Sequence, residues 1–373
     1  MGAQDCTDHR ASSLQHIVTT TAALADWATR SSSAEAIGLD TEFLRERTYR
    51  AELCLLQVAT AQDATCIDPL ALSDLSPLVP ALTAGQPVKV MHASRQDLEV
   101  LFPVAGVVRP LFDTQVAAAL AGMPAQIGYG ELVRRVLGKE LAKSHTRTDW
   151  SRRPLSAEQV EYALDDVRYL LPLKSHLEEM LEKLGRSAWL AEELAALSDV
   201  QSFTVDPETA HQRLKGLRGL DPGRTRLVKS LAAWRERRAI ERNRPRGWIL
   251  DDVSLREIVM RVPRTVEQLQ TIPEMAPGVL KHCAEEILAQ VAAAEIPDPP
   301  PPIAVRPRPS VEQQALVKKL ALLNQSIAQA LGVSPEVLAT RRDIELLAEG
   351  GRDVAMLQGW RRAIVGEPML AAL

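Results

Sequence analysis

Three acidic residues that follow two apolar segments limit the folds open to this chain. Asp40 and Glu42 come after the apolar run 36–39, and Asp97 comes after a second run at 87–92. Alternate residues of a β-strand point to the same face, so Asp40 and Glu42 can converge on one point. The pattern therefore predicts strands that end close to a shared cluster of carboxylates.

A fourth acidic residue lies in a long helical pattern, four positions after a tyrosine. Side chains at positions i and i+4 share one helix face, so Tyr162 and Asp166 can point into the same site. Asp165, the neighbour of Asp166, points about 100° away around the helix. Ser156 and Gln159 have the spacing of a capping box, which predicts that this helix begins near Ser156.

Carboxylates that a fold brings together repel one another unless a cation lies between them. Mg²⁺ and Mn²⁺ suit such a site because they prefer oxygen ligands. Two such ions roughly 3.5–4 Å apart stabilise the attacking and leaving oxygens in phosphodiester cleavage. Each short motif alone is equally compatible with a solvated strand end or a surface helix. Their order and their strand and helix contexts together predict a two-metal nuclease site.

The order of these motifs resembles the DEDD exonuclease superfamily, in the branch that carries a tyrosine in its third motif. The first motif is Asp-x-Glu at 40–42, the second supplies Asp97, and the third is Tyr-x-x-x-Asp at 162–166. The flanking segments that are similar to the ribonuclease D family lie at 67–70, 112–115, 144–150 and 169–173. This resemblance implies an α/β fold, with a ribonuclease H-like mixed-sheet exonuclease domain over residues 1–200.

The same resemblance implies a role for each of the five residues. Asp40, Glu42 and Asp166 would hold one divalent ion, and Asp40 would also bridge to a second. Asp97 would support the second ion directly or through water, and Tyr162 would orient the attacking water. The implied activity is that of a metal-dependent 3′→5′ exoribonuclease with two Mg²⁺ or Mn²⁺ ions, which releases nucleoside 5′-monophosphates.

Six further residues are candidates for substrate contacts because of their chemistry and their place near the acids in the sequence. They are Phe43, Gln57, His92, Lys143, Arg147 and Arg152. Phe43 can stack against the terminal base, since every base has a π-face, or it can be an ordinary core residue. Gln57 and His92 can line the nucleotide pocket or make structural hydrogen bonds. The basic loop at 143–153 is expected to bind the substrate backbone.

Apolar runs and turn residues predict the elements of this first domain. The predicted strands are at 36–39, 51–59, 64–67 and 87–92, and the predicted helices are at 94–102, 114–121 and 130–137. The first strands follow one another closely, which favours antiparallel hairpins before a helical crossover. Pro172 is expected to kink or end the helix of the third motif, with a second helical stretch over 175–185.

After residue 200 the pattern is helical and becomes basic, with 16 Lys or Arg against 10 Asp or Glu in residues 211–290. The stretch 231–252 resembles the HRDC domain of RecQ-type helicases and ribonuclease D, which implies an all-α HRDC domain at 208–294. Clustered Lys and Arg supply sequence-independent affinity for nucleic acids, although a solvated helix face would have the same composition. The candidate RNA contacts are Arg235, Arg237, Arg238, Arg244 and Arg246. Trp234 and Trp248 are expected in the core rather than as base-stacking platforms.

A proline-rich segment at 295–309 follows, with seven prolines between residues 297 and 309. Such a composition predicts an extended, semi-rigid linker. Residues 310–373 are again helical, and the family resemblance implies a second HRDC-like helical domain there. A packing role with little nucleic-acid contact is one interpretation of this last domain.

Membrane and secretion signals are missing from the 373-residue sequence. No apolar stretch approaches the ~18–20 residues of a membrane span. The N-terminus lacks the basic start and apolar block of a signal peptide. The four cysteines show neither Cys-x-x-Cys spacing nor a repeated pattern, as expected for reduced thiols. We therefore expect a cytoplasmic protein without membrane attachment, and no obligatory protein partner is evident.

The function predicted from these observations is the trimming of 3′ ends of tRNA precursors and other structured RNAs. A DNA 3′→5′ exonuclease of the same superfamily is an alternative, because the metals act on phosphates common to both nucleic acids. The exonuclease-then-HRDC layout without a helicase motor favours RNA. A catalytically silent RNA-binding scaffold is the other alternative, but such a relative would be expected to lose at least one of the five active-site residues.

Overall fold

The computed structural model describes residues 17–141, 148–217, 219–302 and 310–373. The chain forms two compact units, which we name by their content. The sheet unit comprises residues up to Leu44, Leu53–Phe203 and Pro309–Leu373, and the helical unit comprises Arg45–Glu52 and Thr204–Arg308. Within the described ranges, no helix combines the length and the apolar composition needed to cross a membrane.

A mixed sheet of six described strands forms the centre of the sheet unit. Its strands are β1 (Ile17–Val18), β2 (Ala36–Leu44), β3 (Glu52–Ala59), β4 (Ala64–Ile67), β5 (Val88–Met91) and β6 (Leu111–Asp113). The spatial order is β1-β4-β3-β2-β5-β6. β3 and β4 are antiparallel, as their short connection predicted, whereas the pairs β1–β4, β2–β5 and β5–β6 are parallel. The predicted mixed sheet is confirmed, and the strand of Asp40 and Glu42 is an inner strand.

Eight α-helices accompany these strands up to residue 197, and those that begin at Arg95, Thr114 and Tyr129 match the helices predicted at 94–102, 114–121 and 130–137. They are α1 (Thr21–Ser31), α2 (Leu78–Thr83), α3 (Arg95–Ala105), α4 (Thr114–Leu120), α5 (Tyr129–Leu137), α6 (Ala157–Arg168), α7 (Leu170–Lys183) and α8 (Ser187–Leu197). The predicted capping box is confirmed at the start of α6. Ser156 Oγ accepts from the backbone N–H of Gln159, and the Gln159 side chain accepts from the backbone N–H of Ser156.

The junction between α6 and α7 differs from the sequence-based expectation. α6 ends at Arg168, and α7 begins at Leu170, so Pro172 lies in the first turn of α7. A proline fits there because the first N–H groups of a helix have no intrahelical partner. Pro172 cannot donate to the carbonyl oxygen of Arg168, four residues earlier, and α6 ends at Arg168. The predicted interruption of the helix is therefore confirmed, but the second helix begins at Leu170 and not at residue 175.

The helical unit is built around α9 (Pro222–Glu241), α10 (Arg246–Ile249), α11 (Asp252–Arg261), α12 (Val266–Gln270) and α13 (Pro277–Ala293). Its core includes Leu231, Trp234 and Ile258. The prediction that Trp234 is a core residue is confirmed. The same prediction for Trp248 is wrong, because Trp248 is 57% exposed while Ile249, the next residue, is buried.

Residues 45–52 connect β2 to β3 in the sequence, but they pack within the helical unit. The Tyr49 hydroxyl donates to the carboxylate of Glu236, which is fully buried in α9. The backbone N–H of Tyr49 donates to Asn243 Oδ1 at 3.1 Å. The helical unit is therefore assembled from two pieces of the sequence.

The last helices of the chain complete the core of the sheet unit. They are α14 (Val311–Leu331), α15 (Pro335–Leu338), α16 (Arg341–Ala348), α17 (Gly359–Arg361) and α18 (Glu367–Ala371). Leu320 and Met356 lie in the same hydrophobic core as Leu181 of α7. The Trp360 ring stacks on Trp189 of α8 with the ring centroids 4.2 Å apart. The segment expected to be a second HRDC-like domain thus shares its core with the helices on the sheet.

Candidate active site

β2 presents Gly38, Asp40 and Glu42 on one face, because alternate residues of a strand share a face. A Cβ atom on Gly38 would lie 3.2 Å from the carbonyl oxygen of Val167 and 3.3 Å from Leu170 Cδ1. The end of α6 and the start of α7 therefore cover this face at close range. A glycine at this point lets α6, the helix of the Tyr-x-x-x-Asp motif, approach the two acids.

Asp97 lies in the first turn of α3, soon after the end of β5. Thr41 Oγ1 donates to Asp97 Oδ1 at 2.5 Å, which ties Asp97 to the strand of the other two acids. Asp113 fixes the turn before α3 by accepting from the backbone N–H of Ser94 at 2.8 Å, and it caps α4 by accepting from the N–H of Gln115 at 2.8 Å. Asp113 had no predicted role, although an aspartate between a strand and a helix is typical of an N-cap.

The pKa values of the four carboxyl groups show that they share one poorly solvated region. Burial, and then the charges of Asp97, Asp166 and Glu42, raise the pKa of Asp40 well above its usual range. Burial is also the main cause that raises the pKa of Glu42 to about 8, of Asp166 to about 7 and of Asp97 to about 6. The negative charge of a neighbouring carboxylate further raises the pKa of each of these three groups. The structure thus brings together the four acids that the sequence placed in three separate segments.

Tyr162 lies within this cluster. Its hydroxyl donates to the carboxylate of Asp166, and its ring stacks against Trp150 with the centroids 6.1 Å apart. Burial, followed by the negative charge of the neighbouring carboxylates, raises the pKa of Tyr162, so the phenol keeps its proton. Asp165 instead forms an ion pair with Arg168. The predicted separation of roles between the two adjacent aspartates agrees with these contacts.

The donor set of this cluster fits hard divalent cations. Four carboxylates with raised pKa values lie together, Asp97 buried and the other three partly buried, and no described basic group contributes to their pKa shifts. A cation with oxygen preference would relieve both their repulsion and their poor solvation. Throughout the described part of the chain, no three His, Cys, Asp or Glu side chains stand in a ready-made coordination arrangement. The fit therefore rests on donor chemistry and burial, and the side chains would have to adjust to an ion.

Comparison with known proteins agrees with this geometry. The profile of a 3′-5′ exonuclease family matches residues 15–182, and that of the HRDC domain matches residues 224–291. Curated proteins named ribonuclease D, from Jannaschia sp. and Nitrobacter hamburgensis, are 41% and 38% identical to this chain over 370 and 360 residues. These matches cover 96% and 95% of this chain, and 95% and 94% of those proteins. The chain belongs to the ribonuclease D family.

A solved structure supports the same assignment. The crystal structure of Escherichia coli RNase D, described as an exoribonuclease involved in structured RNA processing, matches with a TM-score of 0.86 and 30% identity. The match covers 96% of this chain and 98% of that chain. The predicted family, fold class and enzyme class are therefore confirmed: the chain is a 3′→5′ exoribonuclease with an HRDC domain. Exonucleases of this kind depend in general on divalent metal ions.

Two of the predicted substrate residues of this ribonuclease D are enclosed by the fold. Gln57 in β3 is fully buried, and neither its amide oxygen nor its amide nitrogen has a hydrogen-bond partner within the described residues. Both ring nitrogens of His92 are engaged, Nδ1 with Thr114 Oγ1 at 2.9 Å and Nε2 with the carbonyl oxygen of Ile127 at 3.0 Å. His92 thus joins three segments of the domain. Substrate contact stays a prediction for Gln57 and His92, and their surroundings favour a supporting role.

Gln57 lies beside Asp40. β2 and β3 are neighbours in the sheet and are joined by a short connection, which requires an antiparallel pair. The Cβ atom of Ala59 lies 3.4 Å from the Cβ position built on Gly38, so these two residues face each other. Two positions further along each antiparallel strand, Gln57 therefore faces Asp40.

The other predicted substrate residues lie on or near loops. Phe43 follows Glu42 in β2 and is half-buried. Arg152 is exposed and pairs with Asp149 at 3.0 Å. Lys143 and Arg147 lie outside the described residues.

Arg153, next in the chain to Arg152, has a structural role that the sequence analysis did not assign. Its guanidinium makes two hydrogen bonds to Asp68, at 2.6 and 2.7 Å, and donates to the carbonyl oxygens of Cys54 at 2.7 Å and Trp150 at 2.8 Å. These contacts fix the segment that leads into α6.

Tyr129 is a third residue, after Asp113 and Arg153, whose role could not be predicted from the sequence. Its hydroxyl donates to the carbonyl oxygen of Asp165 at 3.1 Å and accepts from the backbone N–H of Tyr169 at 3.2 Å. Tyr129 thereby spans the junction between α6 and α7, one residue from Asp166. Its place at the start of a predicted helix gave no chemical signal, because the partners are backbone groups far away in the sequence.

The five predicted RNA-contacting arginines of the HRDC domain differ in their surroundings. Arg235 is buried, and its guanidinium binds Asp252 at 2.7 Å and the carbonyl oxygen of Leu250 at 2.9 Å. Arg238 is also largely buried and pairs with Glu286 at 2.8 Å. These two guanidinium groups are therefore occupied within the fold.

The other three arginines are more accessible. Arg237 pairs with Glu208, and Arg246 lies 3.6 Å from the Glu236 carboxylate. Arg244 forms no ion pair within the described residues, and its guanidinium lies over the ring of Trp248, 5.8 Å from the centroid. Of the predicted set, Arg244 has the greatest freedom to bind a phosphate.

Proposed function

We propose that this ribonuclease D removes nucleotides stepwise from the 3′ ends of structured RNAs, tRNA precursors among them, and releases nucleoside 5′-monophosphates. The observation that carries this proposal is the convergence of Asp40, Glu42, Asp97 and Asp166 with the Tyr162 hydroxyl in one buried cluster. Support for structured RNA comes from the Escherichia coli relative, which is described as acting in structured RNA processing. A cytoplasmic location and action without an obligatory protein partner belong to the same proposal.

Two divalent ions, Mg²⁺ or Mn²⁺, are the cofactors that we propose for this cluster. Asp40, Glu42 and Asp166 would hold one ion, and Asp97 together with Asp40 would hold the other. When bound, such ions lower the pKa of a coordinated water and neutralise charge on the departing oxygen. The raised pKa values of the carboxyl groups fit this arrangement, because a cation favours their ionised form.

The side chains around the acids position the reacting groups. Tyr162 stays protonated and can both donate and accept a hydrogen bond, as the orientation of a water for attack on phosphorus requires. Thr41 holds Asp97 through the 2.5 Å hydrogen bond, and Tyr129 holds the end of the helix that carries Asp166. The acids are thus placed by strand, helix and backbone contacts before substrate binds.

Substrate binding is proposed for residues that the fold leaves accessible. Phe43, half-buried beside Glu42, would stack on the terminal base. Arg152 would bind the substrate backbone, and the same role is proposed for Lys143 and Arg147 in the loop before it. Gln57 and His92 are proposed instead to support the site from within the fold.

The test compares 5′-labelled RNA and DNA of one sequence with the full-length protein, with Mg²⁺, with Mn²⁺ and with EDTA. We expect a ladder of shortened RNA products with either metal and none with EDTA. Asp40→Asn and Asp166→Asn should abolish the ladder, whereas Asp165→Asn, one residue away on the same helix, should retain it. A preference for DNA, or cleavage that persists in EDTA, would contradict the proposal.

A further inference from the structure

Gln57 carries a buried amide that the fold leaves without hydrogen bonds. Its side chain is 0% exposed, and both its amide nitrogen and its amide oxygen lack a partner within the described residues. Asn324 of α14 is also buried, but its amide nitrogen donates to the carbonyl oxygens of Pro335 at 3.0 Å and Ala339 at 3.2 Å. A buried polar group without a partner costs free energy, and a catalytic role is one reason for a fold to keep one.

Gln57 occupies the middle of a row of three side chains on one face of the sheet. On one side it is paired with Cys66 of β4 in the antiparallel register. On the other side it faces Asp40 of β2, two positions along from the pair that Ala59 forms with Gly38. Facing residues of antiparallel strands have their Cβ atoms about 4.5–5.5 Å apart, a gap that a glutamine side chain can span. The amide therefore has a carboxylate within reach on one side and a thiol, which is only a weak partner, on the other.

Apolar side chains of α6 cover this row. Cys66 lies in one hydrophobic cluster with Val160, Ala163 and Leu164, all of which are buried. A hydrogen bond to a charged group is stronger than one between neutral groups, and it gains further strength where water is excluded. The surroundings of Gln57 thus favour a bond from its amide N–H to a charged carboxylate.

We propose that Gln57 is a positioning residue for Asp40, and that its amide N–H donates to the Asp40 carboxylate while Asp40 binds divalent ions. A carboxylate has about four lone-pair sites, so an Asp40 that bridges two ions keeps sites for hydrogen bonds. The backbone N–H of Thr41 donates to Asp40 from its own strand, and Gln57 would hold it from β3. Carboxylates that bind metals are in turn hydrogen-bonded, and these outer partners tune the affinity for the metal. This inference rests on the proposed function in taking Asp40 as a metal ligand.

The test measures Mn²⁺ binding to the full-length, metal-stripped protein by titration calorimetry, together with thermal unfolding in EDTA. Gln57→Met keeps nearly the same size and shape but removes the amide. It should weaken Mn²⁺ binding about 10- to 100-fold, the usual loss when the partner of a metal ligand is removed, and it should raise the Tm in EDTA. The two effects have opposite signs because the amide is unpaired without the ions and bonded with them. Gln57→Leu, a second apolar substitution, should give the same pair of effects.

Cys66→Ala is the matched control, because Cys66 faces Gln57 from the side away from Asp40 and is equally buried. It should leave the Mn²⁺ affinity unchanged. Wild-type Mn²⁺ affinity in Gln57→Met and Gln57→Leu would overturn the proposal, and so would equal losses of affinity in Cys66→Ala and Gln57→Met. A lower Tm in EDTA alongside the weaker binding would also overturn it, because Gln57 would then support the fold as a whole.

The outcomes for Gln57 and for the proposed activity can be told apart. In Gln57→Met, the half-maximal rate of nucleotide release from a short RNA should need about 10- to 100-fold more Mn²⁺, with the KM for the RNA unchanged. A wild-type protein whose Mn²⁺ affinity depends on Gln57 but which releases no nucleotides would contradict the proposed function and leave the role of Gln57 standing. An active wild type, with wild-type Mn²⁺ binding in both Gln57 variants, would contradict the role of Gln57 alone.

Discussion

The carboxylate cluster should make the metal-free protein less stable as the pH rises from about 4 to about 8. The pKa of Asp97 rises from 3.8 to about 6, that of Asp166 from 3.8 to about 7 and that of Glu42 from 4.5 to about 8, in each case mainly through burial. The folded protein therefore binds more protons than the unfolded chain between these values. The stability that these groups contribute is complete below their unfolded pKa values and is lost as the pH rises through the folded ones.

The size of the effect follows from the smallest of these shifts. A rise of about two units in one carboxyl group corresponds to about 3 kcal/mol. The groups titrate as a cluster, so their contributions do not add, and we expect about 3–5 kcal/mol in total. Replacing Asp40, the acid with the most carboxylate neighbours, by Asn should recover about 1–3 kcal/mol of this at pH 8.

The assay is chemical or thermal unfolding of the full-length protein from pH 5 to pH 8.5, with EDTA and then with Mg²⁺ or Mn²⁺. The metal-free wild type should lose stability toward pH 8, each metal should restore it there, and Asp40→Asn should show a flatter profile with a smaller metal response. Asp74→Asn is the control, because Asp74 is exposed and its pKa is lowered by hydrogen bonds from Ser76. A metal-free wild type that is more stable at pH 8 than at pH 5.5 would refute the reasoning.

Three further substitutions test the side chains around the acids. Tyr162→Phe should keep the fold and lower kcat by about 100-fold, the lower end for a positioned proton-transfer or orienting group; wild-type turnover would show a purely structural tyrosine. Gln57→Met removes two buried polar atoms that lack partners and should stabilise the metal-free protein by about 1–2 kcal/mol in thermal unfolding, so a lower Tm would mean that the amide is in fact bonded. Tyr129→Phe leaves a carbonyl oxygen and an N–H unpaired at the helix junction and should cost about 1–3 kcal/mol; it should also weaken Mn²⁺ binding in calorimetry, and unchanged Mn²⁺ affinity would argue against a positioning role.

The convergence of the four acids could be predicted from the sequence because each belongs to a local pattern, while their catalytic role stays a prediction. Asp40 and Glu42 follow the alternation of a strand, and the capping box at Ser156 sets the start of the helix that carries Tyr162 and Asp166. Such patterns depend on nearby residues and on the periodicity of the backbone. The mixed sheet could be predicted for the same reason, because its strands also show local apolar patterns.

What the sequence could not predict depends on partners far away in the chain. Arg235 and Arg244 look alike in a basic run, yet one is enclosed with Asp252 and the other lies on an exposed ring. Trp248 is accessible because the short helix α10 directs the side chain of Ile249, and not that of Trp248, into the core. The apolar spacing of the last helices showed that they bury a face, but it could not show that the buried face belongs to the core of the sheet unit.

Residues 45–52 pack in the helical unit although the residues on either side of them in the chain belong to the sheet unit. The helical unit is therefore a discontinuous domain. During synthesis, Tyr49 leaves the ribosome long before Glu236, so the helical unit cannot be completed until almost two hundred further residues have followed. A fragment that contains only residues 204–308 would keep the buried carboxylate of Glu236 but lack its tyrosine partner. A fragment that ends near residue 205 would leave the connection after Asp40 and Glu42 without its packing surface, and it would also lack the helices that complete the core of the sheet unit. The boundaries at which this enzyme can be divided are therefore set by its three-dimensional packing and not by the order of its domains along the chain.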